Sequence, residues 1–124
     1  MLKKLATLLT ASLFVICLAG AIRNSPDRGV KIISPKANDV VQAGDVCEIH
    51  WYADAEFGDL MTIEFSKNGG KSWDTVAKDV PNNGKYLWKV PEIDSAHCKV
   101  RVFFQDKPKF RGTSEMFSVI GGRQ

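Results

Sequence analysis

The sequence predicts an all-β fold, an antiparallel sandwich of about seven strands, on three observations. Seven short runs concentrate β-branched and aromatic residues. Each is bounded by Gly, Pro, Asn or Asp, so turn signals recur about every ten residues. No segment beyond the N-terminal run keeps a helical apolar period long enough to make a convincing helix. A small closed barrel is the alternative that the same pattern serves.

The first 21 residues read as an address. Met1 to Ala21 has the cations Lys3 and Lys4, the apolar run Leu5 to Leu18, and the small residues Ala19-Gly20-Ala21 around a cleavage point. The expected mature start is Ile22. One alternative is an uncleaved membrane anchor, for which the stretch from Leu5 to Ile22 is short and holds Thr7, Thr10, Ser12 and Gly20. Another is lipidation of Cys17, against which Ile16 stands where a small residue is usual. Residues 22–29 are expected as a flexible lead, 30–120 as the sandwich and 121–124 as a tail.

Alternation then assigns faces, because side chains along a strand point to opposite sides in turn. The first strand is Val30–Ser34. In the second, Val46–Tyr52, Cys47, Ile49 and Trp51 share a face against Glu48 and His50. In the third, Leu60–Ser66, Met61, Ile63 and Phe65 face in against Thr62 and Glu64. Asn68-Gly69-Gly70 supplies positive-φ residues for a tight turn onto which Trp73 folds back, opening the fourth strand, Trp73–Ala77. The fifth, Lys85–Val90, turns Trp88 and Val90 in, Leu87 and Lys89 out, and leaves Tyr86 at the rim. The sixth, Cys98–Gln105, turns in Cys98, Val100, Val102 and Phe104, and the last, Met116–Ile120, adds Phe117 and Val119.

With Cys17 removed, Cys47 and Cys98 remain as a pair in a chain sent to an oxidising compartment, both on the apolar sides of their strands. A disulfide between them is expected; two reduced, buried thiols are the alternative. Such a bridge would close about 50 residues and stabilise by roughly 4 kcal/mol. An inter-sheet staple between second and sixth strands beside a large aromatic is the arrangement of immunoglobulin-like sandwiches, and the expected class is an immunoglobulin/fibronectin-III-like sandwich. Trp51 sits on the same strand as Cys47, unlike the core Trp of antibody domains, so the expectation is immunoglobulin-like and not antibody-type.

Several runs carry a resemblance. Val30-Lys31-Ile32-Ile33-Ser34-Pro35, Ile49-His50-Trp51, Ile63-Glu64-Phe65-Ser66, Phe117-Ser118-Val119 and above all Gly84-Lys85-Tyr86-Leu87-Trp88-Lys89-Val90-Pro91 are similar to the immunoglobulin-like module of fungal cell-wall β-glucan-assembly proteins and related bacterial secreted proteins. The resemblance implies a surface or wall-associated, non-catalytic module. Locally, Ser66-Lys67-Asn68-Gly69-Gly70-Lys71-Ser72-Trp73 resembles the Asp-box hairpin of sialidase-type propellers, with Asn68 where Asp is usual, which implies a structural corner.

The chain offers little for catalysis. Its 124 residues suffice for one domain, and the net charge of +3, falling to +1 without Lys3 and Lys4, gives no footprint for nucleic acid or for membrane attachment after cleavage. No His-Glu-x-x-His, Gly-x-Ser-x-Gly, phosphate loop or Cys-x-x-Cys occurs, and His50 and His97 fall on strands of opposite sheets. An enzyme is therefore not expected; a cryptic hydrolase resting on these histidines is the remote alternative, and no cofactor or metal is called for. A calcium site from Asp54, Glu56 and Asp59 lacks the regular ligand spacing and Gly hinge of such loops.

The connections hold the candidate site. The second-to-third and sixth-to-seventh connections of this topology lie at one end. The first carries Asp54, Glu56, Phe57 and Asp59; the second carries Asp106, Lys107, Lys109, Phe110 and Arg111. These charges either pair as exposed salt bridges or form a ligand rim with Phe57 and Phe110 as apolar contacts. Tyr52, Tyr86 and Phe103 form an exposed aromatic patch if their strands align. The expected role is an exported binding domain, secreted or periplasmic, with an envelope or extracellular protein as partner, a carbohydrate or wall polysaccharide as the alternative ligand, and either the rim or an exposed strand edge as the contact.

Overall fold

In the computed structural model, residues 27–121 are described; the expected export signal of residues 1–21, the expected start at Ile22, Cys17 and residues 122–124 lie outside them. Nine strands follow in order: β1 Val30–Ser34, β2 Val40–Gln42, β3 Val46–Ala53, β4 Leu60–Ser66, β5 Asp74–Pro81, β6 Lys85–Lys89, β7 Ser95–Phe104, β8 Lys107–Thr113 and β9 Phe117–Ile120. A single 3-10 turn, Ala55–Phe57, interrupts them, with the Asp54 carboxylate accepting from the Glu56 N–H at its start.

The strands form two packed sheets. One has the order β1-β3-β6 and the other β2-β9-β7-β4-β5, with β8 also paired to β7. Every ladder is antiparallel except β2 against β9. The seven expected strands are present near their expected bounds, as the antiparallel sandwich required. β2 and β8 are additional, and the segment expected as the sixth-to-seventh loop is mostly β8. The Gln105-Asp106 turn folds it back so that Phe103 faces Arg111 and Phe104 faces Lys107.

Alternation carries through to burial. Ile49, Trp51, Met61, Ile63, Phe65, Trp88, Val90, Cys98, Val100, Val102, Phe104, Phe117 and Val119 form one core between the sheets. Thr62, on the outward phase of β4, is nevertheless buried, and its hydroxyl donates to Gln105 Oε1 at 3.0 Å. The expected aromatic patch does not assemble. Tyr52 is exposed on the outer face of the three-stranded sheet, Tyr86 is half-buried on the inner side of β6, and Phe103 lies on the other sheet.

The expected Cys47–Cys98 bridge is absent: both residues are thiols. Cys47 stands level with Trp88 across β3 and β6, and Cys98 stands level with Phe117 across β7 and β9. The Trp88 and Phe117 rings meet edge-on at 6.3 Å, so an aromatic pair fills the space between sheets at this level. Burial raises both thiol pKa values, and for Cys47 the Asp39 and Glu48 charges raise it further.

The two long sides of the sandwich differ. Along one, β1 closes onto β8: a Cβ on Gly112 would lie 2.4 Å from the Val30 carbonyl oxygen, and Arg28 and Gly29 bridge to Arg111. Along the other, the edge strands β5 and β6 face each other without pairing.

Candidate binding surfaces

The expected rim does come together, but on its own aromatics. Phe57 stacks on Phe110 with centroids 4.3 Å apart and rings 14° from parallel, and meets Phe104 edge-on at 5.9 Å. Both rings are half-buried against the core, so they seal the end of the sandwich. Arg28 and Lys109 lie over the Phe110 ring, at 5.3 Å and 5.6 Å from its centroid.

The charges of the two segments do not pair with one another. Arg111 bonds Asp27 at 3.3 Å, from the lead segment, and Asp54 is engaged in capping the 3-10 turn. Glu56, Asp59, Lys107 and Lys109 stand exposed around the aromatic plug. Among the described residues no three His, Cys, Asp or Glu groups converge as metal ligands.

The histidines occupy separate places. His50 Nε2 lies 2.7 Å from Glu48 Oε1 on the exposed face of β3, and this bond holds the Glu48 carboxyl below its usual pKa, with smaller contributions from the His50 and Lys85 charges. His97 is exposed on β7, where its carbonyl accepts from Gly69 N–H at 2.7 Å. Ser hydroxyls among the described residues bond to neither imidazole ring.

The turn before Trp73 is built around Asn68. Its Oδ1 accepts from the Ser66 hydroxyl at 2.9 Å and from Ser72 N–H at 3.0 Å, while its amide donates to Ser72 Oγ at 2.8 Å. Gly69 and Gly70 take φ values of 74° and 93°. Trp73 lies over Gly70, and Arg101 stacks on its ring at 4.1 Å while bonding Glu64 at 2.7 Å.

The largest feature that sequence reasoning missed is the open side between β5 and β6. A cleft of about 390 Å³ runs there, with Phe65, Val76, Tyr86, Trp88, Pro91 and Ile93 as its apolar lining and Lys67, Asp74 and Lys89 at its margins. The Phe65 and Trp88 rings, 5.0 Å apart, form its floor. A second hollow of about 490 Å³ continues past Tyr86 between Lys78, Val80, Lys85 and Leu87. The turn that delivers β6 is fixed beside it: Trp51 Nε1 donates to Asn82 Oδ1 at 3.0 Å, and at Gly84, with φ 89°, a Cβ would lie 3.2 Å from the Trp51 carbonyl oxygen. The Gly84–Pro91 run was legible as a unit, but its role as a cleft wall depends on β6 being an edge strand, which alternation does not encode.

Fold and surfaces together define a small immunoglobulin/fibronectin-III-like β-sandwich. Among solved structures the chain is similar to a fibronectin(III)-like module of Clostridium thermocellum CbhA, at 20% identity and a TM-score of 0.50, over 76% of this chain and 99% of that one. No protein-family model matches the sequence, and no curated protein does.

Proposed function

We propose that the chain is an exported, non-catalytic binding module that engages a protein at the cell envelope or outside the cell through the open side between β5 and β6. The observation that carries this reading is the aromatic-floored cleft where two edge strands face each other unpaired. Clefts lined by apolar and aromatic groups with a few charges at the margin are the usual form of a recognition site. Two features support the export component: the Lys3-Lys4, apolar run and small-residue pattern of the first 21 residues, and the likeness of Gly84–Pro91 to wall-associated secreted modules. Among the described residues no helix is long and apolar enough to cross a membrane.

The test is site-specific photo-crosslinking in the cells that make the protein. A photoreactive residue at Thr75, exposed at the cleft, is expected to yield a discrete polypeptide adduct, and one at Gln42, exposed on β2 at the far edge of the larger sheet, to yield none. Equal labelling at both positions, or none at either, overturns the reading. The second reading is a carbohydrate or wall-polymer ligand, favoured by Tyr86 and Trp88 in the cleft and by the resemblance to glucan-assembly modules. Under that reading the protein sediments with insoluble wall polysaccharide, and Tyr86→Ala abolishes the sedimentation.

A further inference from the structure

One wall of the cleft has the geometry to accept another strand. β6 pairs with β3 over five consecutive positions, from Val46 opposite Lys89 to His50 opposite Lys85, with no register shift. Trp51 N–H donates to the Gly84 carbonyl at 3.0 Å and Val90 N–H to the Asp45 carbonyl at 2.9 Å. In an antiparallel ladder the residues that bond the neighbour alternate with those whose backbone groups point away. The even-numbered residues of this run therefore face β3, and Lys85, Leu87 and Lys89 direct N–H and C=O into the open side. Lys85 N–H is taken by Asn83 Oδ1 at 3.3 Å, and the outward groups of Leu87 and Lys89 have no partner among the described residues.

The opposite wall is unsuited to the same use. β5 shifts register twice against β4, carries Asp79 at φ 55°, and ends in Pro81. Bulges, left-handed residues and proline are how edge strands avoid pairing.

Charge selects the occupant. Lys85 and Lys89 flank Leu87 on the outer face of β6, and Lys67 and Lys78 stand at the mouth of the two hollows, against Asp74 and Asp79. Asp79 is already bonded by the Gln105 amide at 2.6 Å, and Glu48, one strand farther, by His50. A second copy pairing antiparallel about Leu87 would set Lys85 against Lys89 twice, and like charges directly opposite are destabilising. We infer that the free edge of β6 takes an extended acidic segment of the partner protein as an added strand. Acidic side chains lie opposite Lys85 and Lys89, and apolar ones opposite Tyr86 and Trp88 fill the cleft. This rests on the reading of the chain as a protein-binding module and names the chemistry of its partner.

The probe is a fluorescent, end-blocked peptide with a Glu-Val-Val-Val-Glu core, titrated by polarisation against the protein purified from its own cells. A Lys-Val-Val-Val-Lys core is expected to bind at least about tenfold more weakly, with the difference shrinking as salt is raised. Methylating the backbone nitrogen of the central Val, or alternatively of the two flanking Val residues, separates the two directions of a ladder, because only one set faces β6 in each. Loss of about tenfold on one set with tolerance of the other supports strand addition and gives its direction. On the protein side, Leu87→Pro removes an N–H that points outward and none that bonds β3, and is expected to weaken binding similarly. The peptide modifications keep the test independent of whether that variant folds. Failure of the Glu core to bind, equal binding of both cores, or tolerance of both methylation sets overturns the proposal. If any of these occurs while Thr75 still cross-links a polypeptide, the binding-module reading stands and strand addition falls.

Discussion

Replacing Gly112 by Ala tests the asymmetry of the two sides. The Cβ would lie 2.4 Å from the Val30 carbonyl oxygen and 2.8 Å from its carbon, about 1 Å inside ordinary contact, and both obstacles are backbone. No flexible side chain can swing aside, so β1 and β8 must separate. Overpacking of this kind costs about 1–3 kcal/mol, and the backbone obstacle puts Gly112 at the upper end. Loss of chain freedom in the unfolded state returns about 0.5–1 kcal/mol, leaving a net loss of about 2 kcal/mol. For a domain of this size that lowers the melting temperature by roughly 10 °C. Thermal unfolding followed by tryptophan fluorescence measures it, with Gly69→Ala as a comparison where the nearest atom, Met116 Sδ, is 4.0 Å away and the cost is one of φ alone. A Gly112→Ala protein melting within about 2 °C of the parent would show that β1 does not close onto β8 as described.

The thiols make a second prediction. Melting with and without reductant should coincide, and thiol reagents should label Cys98 only on unfolding; a melting point that falls on reduction would restore the bridge. Because folding raises both thiol pKa values above the ordinary 9.0, their contribution to stability is intact below that pH and declines as pH climbs through the folded values, which denaturant titrations across the alkaline range will register. The Glu48 carboxyl, held down first by its bond to His50, should titrate below the ordinary 4.5 by NMR and move up in His50→Ala; a midpoint at or above 4.5 in the parent refutes the pair. Its contribution to stability is present above the ordinary value and lost as pH falls through the lowered one. Finally, Asn68→Ala removes the acceptor shared by Ser66 and Ser72 and should cost about 1–2 kcal/mol in denaturant unfolding, whereas Asn68→Asp keeps that acceptor and should cost less than half as much; equal losses would reject the bracket.

What the sequence conveyed and what it withheld have separate physical causes. Period-two alternation placed Cys47, Ile49 and Trp51, and Cys98 through Phe104, on the correct faces, because face depends only on local parity. Alternation states the face but not what stands across the core from it, which is why two inward cysteines read as a bridge while Trp88 and Phe117 meet between the sheets at their level. Val40-Val41-Gln42 is too short to show a period, and its parallel partner is remote. Lys107-Pro108-Lys109-Phe110-Arg111 has the composition of a loop; it is a strand because β7 offers it a ladder, and Pro108 is tolerable there because the segment is peripheral. The meeting of Phe57 with Phe110 followed from topology, whereas their stacking on each other did not. The cleft needed the sheet order, since only that order makes β5 and β6 edges.

The single parallel ladder bears on when the chain can finish folding. β2 joins β9 with Gln42 beside Ile120, so one of the first strands is held by the last. Closing so long a loop is an entropic cost met only after the intervening ladders exist, and nonlocal pairing of this kind is slow. A nascent chain therefore cannot complete the larger sheet until Ile120 has left the ribosome. Until then Val40 to Gln42 lacks the partner that holds it in the sheet.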